Sequence, residues 1–114
     1  MSPRHLSSLA AKAEVFAALG DETRLSLLAK LATGQTASIA QLTEGTALTR
    51  QAVTKHLRVL ERAKIVHPTR VGRQSLFAFD PAPIDEMAVY LHTVSKQWDS
   101  ALARLKAFVE NEED

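Results

Sequence analysis

A chain of 114 residues, 46% hydrophobic and 24% charged, has the size and composition of a single folded domain. It contains no cysteine, which excludes disulfides, thiolate metal ligands and a cysteine nucleophile. The alanine-rich stretch from Leu9 to Leu19 is interrupted by Lys12 and Glu14. It therefore resembles neither a signal-peptide core nor a membrane span, and we expect a cytoplasmic protein without membrane contact.

The net charge of +1 conceals a strong asymmetry along the chain. Residues 50–73 hold seven basic residues and one acid, Glu61, a net charge of +6. The remainder holds seven basic and twelve acidic residues, a net charge of −5. Such a basic segment concentrates positive potential on one part of the surface, which favours a polyanion as partner. A solvated helix face is the alternative interpretation of the same charges.

Capping residues and glycines predict four helices in the first half of the chain. Their predicted N-caps are Ser7 or Ser8, Asp21, Ser38 and Thr49. The residues predicted to end them are Gly20, Gly34, Gly45 and Ala63. Apolar residues form a stripe on the second helix (Leu25, Leu28, Leu31, Ala32) and on the fourth (Ala52, Val53, Leu57, Leu60). The fourth helix, at about residues 49–63, is also the basic one.

A β-hairpin is predicted at about residues 65–79. A β-branched run begins at Ile65, Val71 and Gly72 form the predicted turn, and an alternating apolar run follows. Pro68 has no backbone N–H, so its strand is expected at a sheet edge. The fold class is therefore mainly α with a small β-hairpin, in one domain spanning residues 1–114.

The last predicted helix, at about residues 83–110, carries a long apolar stripe. The stripe has more apolar surface than a helix packed on one neighbour needs, and the additional residues are Leu91, Trp98, Leu102 and Leu105. Left exposed, they would form a large apolar patch, so they predict a two-fold homodimer interface. An effector pocket lined by Met87, Trp98 and Phe108 is the alternative.

The two short helices before the hairpin, joined by a glycine-containing turn, predict a helix-turn-helix, and the hairpin that follows adds a basic wing. Polar residues early in the second helix of this motif, which is the fourth predicted helix of the chain, can reach base edges in the major groove of duplex DNA. Eight residues are predicted to contact DNA: Thr49, Arg50, Gln51, Thr54, Lys55, Arg58, Arg70 and Arg73. Arg50 suits guanine and Gln51 suits adenine. The wing arginines suit the backbone or the minor groove.

Three runs carry a resemblance to a known family: LGDETRL at residues 19–25, LTRQAVTKHL at 48–57 and VGR at 71–73. Together they resemble the ArsR/SmtB family of bacterial winged-helix repressors, over about residues 10–109. The resemblance implies a winged helix-turn-helix fold, dimeric through the first and last helices. It also implies release from operator DNA on sensing a signal, and frequent control of the protein's own promoter. A two-fold dimer would bind an inverted repeat.

The metal sites of that family do not carry over. Its Cys-x-Cys pair falls on Ser38 and Ala40, which are not thiolates. Its second site needs an Asp-x-His pair, a histidine eleven residues after the first, and a Glu or His three further on. If Asp85 begins the pattern, the three ligand positions that follow hold Met87, Trp98 and Ala101. If His92 is instead taken as the second histidine, the position three residues later holds Ser95. We therefore predict no metal and no cofactor, and the effector stays open.

Other functions are weaker interpretations of the sequence. His56 can contact phosphate or hydrogen-bond within the motif. An enzyme is not expected, because the four histidines are scattered and no nucleophile-elbow glycine pattern is present. A winged-helix module used only for protein–protein contact is the main alternative to a repressor, and binding to random duplex at low salt separates the two.

Overall fold

The computed structural model describes residues 8–112, which divide at residue 84 into two compact units. The elements are α1 (Leu9–Leu19), α2 (Glu22–Leu31), β1 (Ala37–Ser38), α3 (Ile39–Thr43), α4 (Arg50–Arg62), β2 (Val66–Val71), β3 (Gln74–Phe79) and α5 (Ala82–Glu112). Ser7, an alternative cap for α1, lies outside the described residues. Within the described residues, every helix is too short or too polar to cross a bilayer.

The predicted N-caps are confirmed at the first four helices: Ser8, Asp21, Ser38 and Thr49. Each side chain accepts a hydrogen bond from the backbone N–H three residues later, which satisfies one of the unpaired donors of a helix N-terminus. At α3 the cap is reciprocal. The Ser38 hydroxyl accepts the Gln41 N–H at 3.1 Å, and the Gln41 side chain accepts the Ser38 N–H at 2.9 Å.

The C-terminus of α4 turns sharply at Lys64, which has a φ of 67°. The Ile65 N–H donates to the Leu60 carbonyl at 3.0 Å, and the Lys64 N–H donates to the Glu61 carbonyl at 2.9 Å. This pair of bonds is the Schellman motif, in which glycine is the usual residue at the left-handed position. Ile65 and Leu60 are both fully buried, so the chain passes from the helix directly into the core before β2 begins.

The sheet has three antiparallel strands in the order β1-β3-β2. β2 is an edge strand, as predicted from Pro68. The predicted turn at Val71 and Gly72 is wrong by one residue, because Val71 pairs with Gln74 and belongs to β2. The two turn residues are Gly72, with a φ of 62°, and Arg73. A positive φ at the first central residue alone is typical of the type II′ hairpin turn, which matches the twist of the strands.

The core of the first unit forms where α1, α2, α3, α4 and the sheet meet. Its largest fully buried side chains are Leu27, Leu31, Leu42, Leu57, Leu60, Ile65, Val15, Val53, Val66 and Pro83. The predicted stripe on α2 is partly wrong. Leu25 is 51% exposed and Ala32 is exposed, whereas Leu27 is buried beside Leu28 and Leu31. The predicted stripe on α4 is confirmed at Val53, Leu57 and Leu60, while Ala52 is half-buried.

The second unit consists of α5 from Asp85 onward. Met87 is buried, but nearly all later side chains of the helix are exposed. Eight of them are large and apolar: Val89, Leu91, Val94, Trp98, Leu102, Leu105, Phe108 and Val109. Such a face is unusual on a helix in contact with water, because contiguous exposed apolar surface marks an interaction site.

We predict that Lys64→Gly raises the stability of the fold. A residue other than glycine in the left-handed region costs about 1–2 kcal/mol, of which the greater flexibility of unfolded glycine takes back about 0.5–1 kcal/mol. The net gain should be on the order of 0.5–1 kcal/mol in urea unfolding followed by circular dichroism at matched protein concentration. Arg62→Gly is the control, since it lies inside α4 and should lower stability by up to about 1 kcal/mol. A loss of stability in Lys64→Gly would contradict the prediction.

Candidate nucleic-acid interface

The turn between α3 and α4 is held by two threonines and a glycine. Gly45 has a φ of 76°, a left-handed conformation that glycine adopts without steric cost. A Cβ placed at this position would meet nothing within 4 Å, so the glycine is needed for its backbone conformation and not for space. The Thr46 N–H and hydroxyl both donate to the Thr43 carbonyl, at 3.1 and 2.7 Å, and the Thr46 hydroxyl accepts the Leu48 N–H at 3.2 Å. Thr46 was not singled out from the sequence, although a threonine after a glycine is a known turn former.

The first three turns of α4 place polar side chains at the surface. Arg50, Gln51, Lys55 and Arg58 are exposed. The opposite face is anchored by Val53, Leu57 and Leu60, each fully buried. Because a helix is rigid over this length, burial of one face fixes the direction of the other.

Two of the predicted contact residues, Thr49 and Thr54, also make hydrogen bonds within α4. The Thr49 hydroxyl accepts the Ala52 N–H at 3.0 Å. The Thr54 hydroxyl donates to the Arg50 carbonyl at 2.7 Å. Each hydroxyl has one donor and two acceptor positions and uses one of them in its local bond, so it can still bind a further partner. The local bonds fix both rotamers and leave those positions oriented in advance.

Arg24 on α2 joins three helices, and it was recognised from the sequence only as part of the LGDETRL run. Its Nε donates to the Ala18 carbonyl at 2.7 Å and its Nη2 to the Ala17 carbonyl at 3.2 Å, both at the C-terminus of α1. Its Nη1 lies 3.2 Å from Nδ1 of His56 on α4. Arginine is a donor only, so His56 accepts at Nδ1. His56 therefore hydrogen-bonds within the motif, one of the two roles considered from the sequence.

Asp21 completes this cluster. Its carboxylate accepts the Arg24 N–H at 3.0 Å and lies 3.8 Å from Nδ1 of His56. The backbone hydrogen bond from Arg24 lowers the pKa of the Asp21 carboxyl below its ordinary value of 3.8, and the nearby charge of the Arg24 guanidinium lowers it further. The carboxylate thus favours the folded state while it is ionised.

The wing carries Arg70 at the end of β2 and Arg73 in the turn itself. The Nε of Arg70 donates to the Gly72 carbonyl at 3.1 Å, which holds this side chain along the turn. At the other end of the hairpin, Nε2 of His67 lies 3.0 Å from the Asp80 carboxylate. The Asp80 N–H also donates to the Ile65 carbonyl at 2.8 Å, so the two strands are tied at their base.

The basic side chains of this surface are unpaired. Within residues 8–112, the Asp21 carboxylate lies 3.8 Å from Nδ1 of His56 and the Asp80 carboxylate lies 3.0 Å from Nε2 of His67. No arginine or lysine of α4 or the wing forms an ion pair with a carboxylate in this range, so their charge faces solvent. Unneutralised cations on one surface attract a polyanion and raise its rate of association.

The metal sites known from the ArsR/SmtB resemblance are not formed in the part of the chain that the structure describes. No group of three or more His, Asp or Glu side chains is placed to hold a metal ion there. Ser38 is buried and serves as the α3 cap, and Ala40 has no ligand atom. The residues therefore do not fit the metal that the family resemblance would suggest.

This unit, with an exposed polar helix after a tight turn and a basic hairpin beside it, is a winged helix-turn-helix. The sequence matches the family described as a helix-turn-helix domain over residues 19–69. It is 34% identical over 82 residues to YuzN, an HTH-type transcriptional regulator of Bacillus subtilis, covering 67% of this chain and 89% of that protein. It is 29% identical over 97 residues to the HTH-type transcriptional regulator Rv2034 of Mycobacterium tuberculosis, covering 85% and 87%.

The solved structures agree with this class. An ArsR-like transcriptional regulator from Rhodococcus sp. RHA1 superposes with a TM-score of 0.77 at 35% identity, covering 87% of this chain and 92% of that one. The chain therefore belongs to the ArsR family of helix-turn-helix transcriptional regulators. The mainly α fold with a winged helix-turn-helix and the family resemblance, both predicted from the sequence, are confirmed, whereas dimerisation stays a prediction.

We predict that Asp21→Asn changes how the free energy of unfolding depends on pH in the acid range. The folded pKa of Asp21 is lowered, so its carboxylate stabilises the fold above about pH 3.8, and this contribution is lost as the pH falls through the folded pKa. Asparagine keeps the cap acceptor but does not titrate. The parent chain should be the more stable at neutral pH, and the difference should vanish in strong acid, measured by urea unfolding across that range.

Asp21→Ala serves as the comparison for Asp21→Asn. It removes the cap acceptor as well as the charge, so it should be less stable than Asp21→Asn at every pH. If Asp21→Asn matched the parent chain throughout the pH range, the carboxylate would have no part in holding the α1, α2 and α4 helices.

Proposed function

We propose that this regulator is a homodimer that binds an inverted repeat in duplex DNA and represses transcription, its own promoter included. The observation that carries the proposal is the exposed row of Arg50, Gln51, Lys55 and Arg58 above a fully buried apolar face, with the unpaired arginines of the wing in the same compact unit. Such a surface suits a major groove for the helix and the backbone or minor groove for the wing.

The proposed DNA contacts are of two kinds, contacts with base edges and contacts with backbone phosphates. Gln51 is uncharged and lies in the first turn of α4, so it suits a base edge, with Thr54 and Lys55 next to it. Thr49 at the helix N-terminus, Arg58 further along and Arg70 on the wing suit phosphates. Phosphate contacts set the register of the protein on the duplex, and base contacts set the sequence.

Dimerisation is supported by the spacing along α5. Leu91, Trp98 and Leu105 recur every seven residues and are 48%, 64% and 58% exposed. Leu102 and Val109 lie beside them with the same spacing. A helix that keeps one apolar side at this period packs against another helix. A second copy of the same helix would cover the stripe by two-fold symmetry.

Repression and control of its own promoter are supported by membership of the ArsR family and by the resemblance noted in the sequence. The direct test is to select genomic fragments on the purified protein, beginning with the DNA upstream of its own gene. Transcription from a selected promoter in vitro should fall as the protein is added. Unchanged or increased transcription would contradict repression, and binding no better than to random duplex would contradict sequence-specific recognition.

A module used only for protein–protein contact is the second candidate, favoured by the large apolar area exposed on α5. It predicts no affinity for random duplex at low salt. A DNA-binding domain with these unpaired cations should bind such duplex, and the affinity should fall steeply as salt is added.

We predict that Gln51→Ala and Arg73→Ala fail in different ways. Gln51→Ala should cost about 1–3 kcal/mol at one base pair per half-site and leave the salt slope unchanged. Arg73→Ala should weaken operator and random DNA alike and lower the slope of log K against log salt by about one unit per subunit. Fluorescence anisotropy over a salt series measures both quantities.

Gln35→Ala, in the exposed loop before β1, is the control for the neutral substitution and should bind the operator as the parent chain does. Equal loss on every sequence with the same change in slope in both variants would mean that α4 does not read bases. No loss in either would place the DNA surface elsewhere.

We predict that Leu102→Glu separates the dimer. It puts a charge in the proposed α5 interface, where burial without a partner is costly. Light scattering at micromolar concentration should give the mass of one 12.5 kDa chain instead of two. Operator affinity should fall with it, because one half-site per molecule remains.

Ala103→Glu is the matched control, since it introduces the same charge one residue away and about 100° around the helix, in line with the polar residues Lys96 and Glu110. It should remain dimeric. A parent chain that scatters as a monomer at the same concentration would refute the dimer.

A further inference from the structure

A surface cavity of about 220 Å³ lies where the N-termini of α3 and α4 meet the wing. Its lining is Ser38, Ile39, Ala40, Arg50, Arg73, Gln74 and Ser75. Arg50 is the first residue of α4 and Arg73 forms part of the wing turn, so the fold brings to one cavity two arginines that are 23 residues apart in sequence. All of these residues belong to the first compact unit.

The cavity is cationic and lacks a counter-charge. Neither Arg50 nor Arg73 forms an ion pair or a side-chain hydrogen bond within residues 8–112, and none of the lining residues is acidic. Two guanidinium groups beside one small space repel each other unless an anion lies between them. Arginine presents a planar set of donors that matches the oxygens of a phosphate.

Two serines add neutral donors to the same space. Ser38 is 6% exposed, and its hydroxyl oxygen accepts the Gln41 N–H. No acceptor for the Ser38 hydroxyl hydrogen is found in residues 8–112, so a buried O–H donor remains available beside the cavity. Ser75, on β3, is half-buried. A buried hydroxyl without an acceptor is costly, which favours a ligand that supplies one.

The size of the cavity narrows the choice of ligand. Pockets for drug-sized organic molecules are about 300–1,000 Å³ and mostly apolar. At about 220 Å³, with arginine, serine and glutamine in its lining, this cavity suits one small polar group. An extended apolar effector does not match it.

We propose that this cavity binds one phosphate-type oxyanion, held by the guanidinium groups of Arg50 and Arg73 with the hydroxyls of Ser38 and Ser75 as additional donors. The anion has two possible sources, a phosphodiester of the DNA backbone or a free phosphate. The first source rests on the proposed DNA-binding function, and the second does not. In either case Arg50 binds phosphate at the base of the wing, in place of the guanine contact predicted from the sequence.

The primary test is a titration of the full chain with inorganic phosphate, in which amide chemical shifts are measured at each step. Sodium chloride is adjusted to hold the ionic strength constant. The amides of Ala40, Gly72, Gln74 and Ser75 should shift and saturate together. Arg50→Gln and Arg73→Gln should each weaken phosphate binding by about fivefold or more, the loss expected for one charge-assisted contact.

Arg62→Gln, at an exposed arginine in the last turn of α4, is the matched control. It removes the same charge from the same helix but lies outside the cavity lining, so phosphate binding should change less than about twofold, within the effect of distant charge. Arg73→Gln alters a surface turn and leaves α4 intact, so it reports on the site even if Arg50→Gln disturbs the start of that helix. Absence of saturation, or an equal loss in all three variants, would overturn the proposal.

A second arm identifies the source of the anion. If added phosphate displaces a duplex fragment at constant ionic strength, the cavity holds a backbone phosphodiester in the complex. If phosphate binds without displacing the duplex, the anion is a free ligand, and the oxyanion site stands. Intact operator binding with no phosphate site in the titration would refute this inference alone, whereas a phosphate site with no duplex binding at any salt would refute only the proposed function.

Discussion

The hydrogen bonds of the Arg24 guanidinium are the interaction on which the placement of α4 depends. One side chain satisfies two carbonyls at the end of α1 and reaches His56 on α4, while its own backbone N–H is held by Asp21. Carbonyls at a helix C-terminus have no partner within the helix and carry partial negative charge, so a cation there is stabilising. The corner between α1 and α2 and the middle of α4 are therefore linked by one charged group.

The consequence of that link appears on the outer surface of α4. His56 is held from inside the domain and Leu57 is fully buried beside it, so the helix has little freedom to rotate about its axis. The exposed side chains of its first turn then point in one fixed direction. A protein that reads base edges needs such orientation, because a contact misplaced by an ångström loses most of its discrimination.

The wing depends on the same framework through the sheet. β1 joins the hairpin at the inner strand, with Ala37 opposite Phe77 and Ser38 opposite Leu76. Ser38 is at once the last residue of β1 and the cap of α3, so the wing is attached directly to the helix that precedes the turn. This attachment places Arg73 and Arg50 beside one cavity and joins the two basic elements into a single cationic surface.

The sequence by itself determined what depends on neighbours along the chain. The caps at Ser8, Asp21, Ser38 and Thr49, the buried face of α4 and the edge position of Pro68 follow from local hydrogen bonding and periodicity. Tertiary structure decided what depends on distant partners. Strand β1 has only two residues and exists because β3 pairs with it, and Leu27 replaces Leu25 in the core because the neighbours of α2 select its buried side. The hydrogen bond from Arg24 to His56 joins residues 32 positions apart. Arg50 and Arg73 line one cavity only because the wing folds back towards the N-terminus of α4. Local patterns carry no signal for such pairings, because their energy arises only once the chain has closed the loops between them.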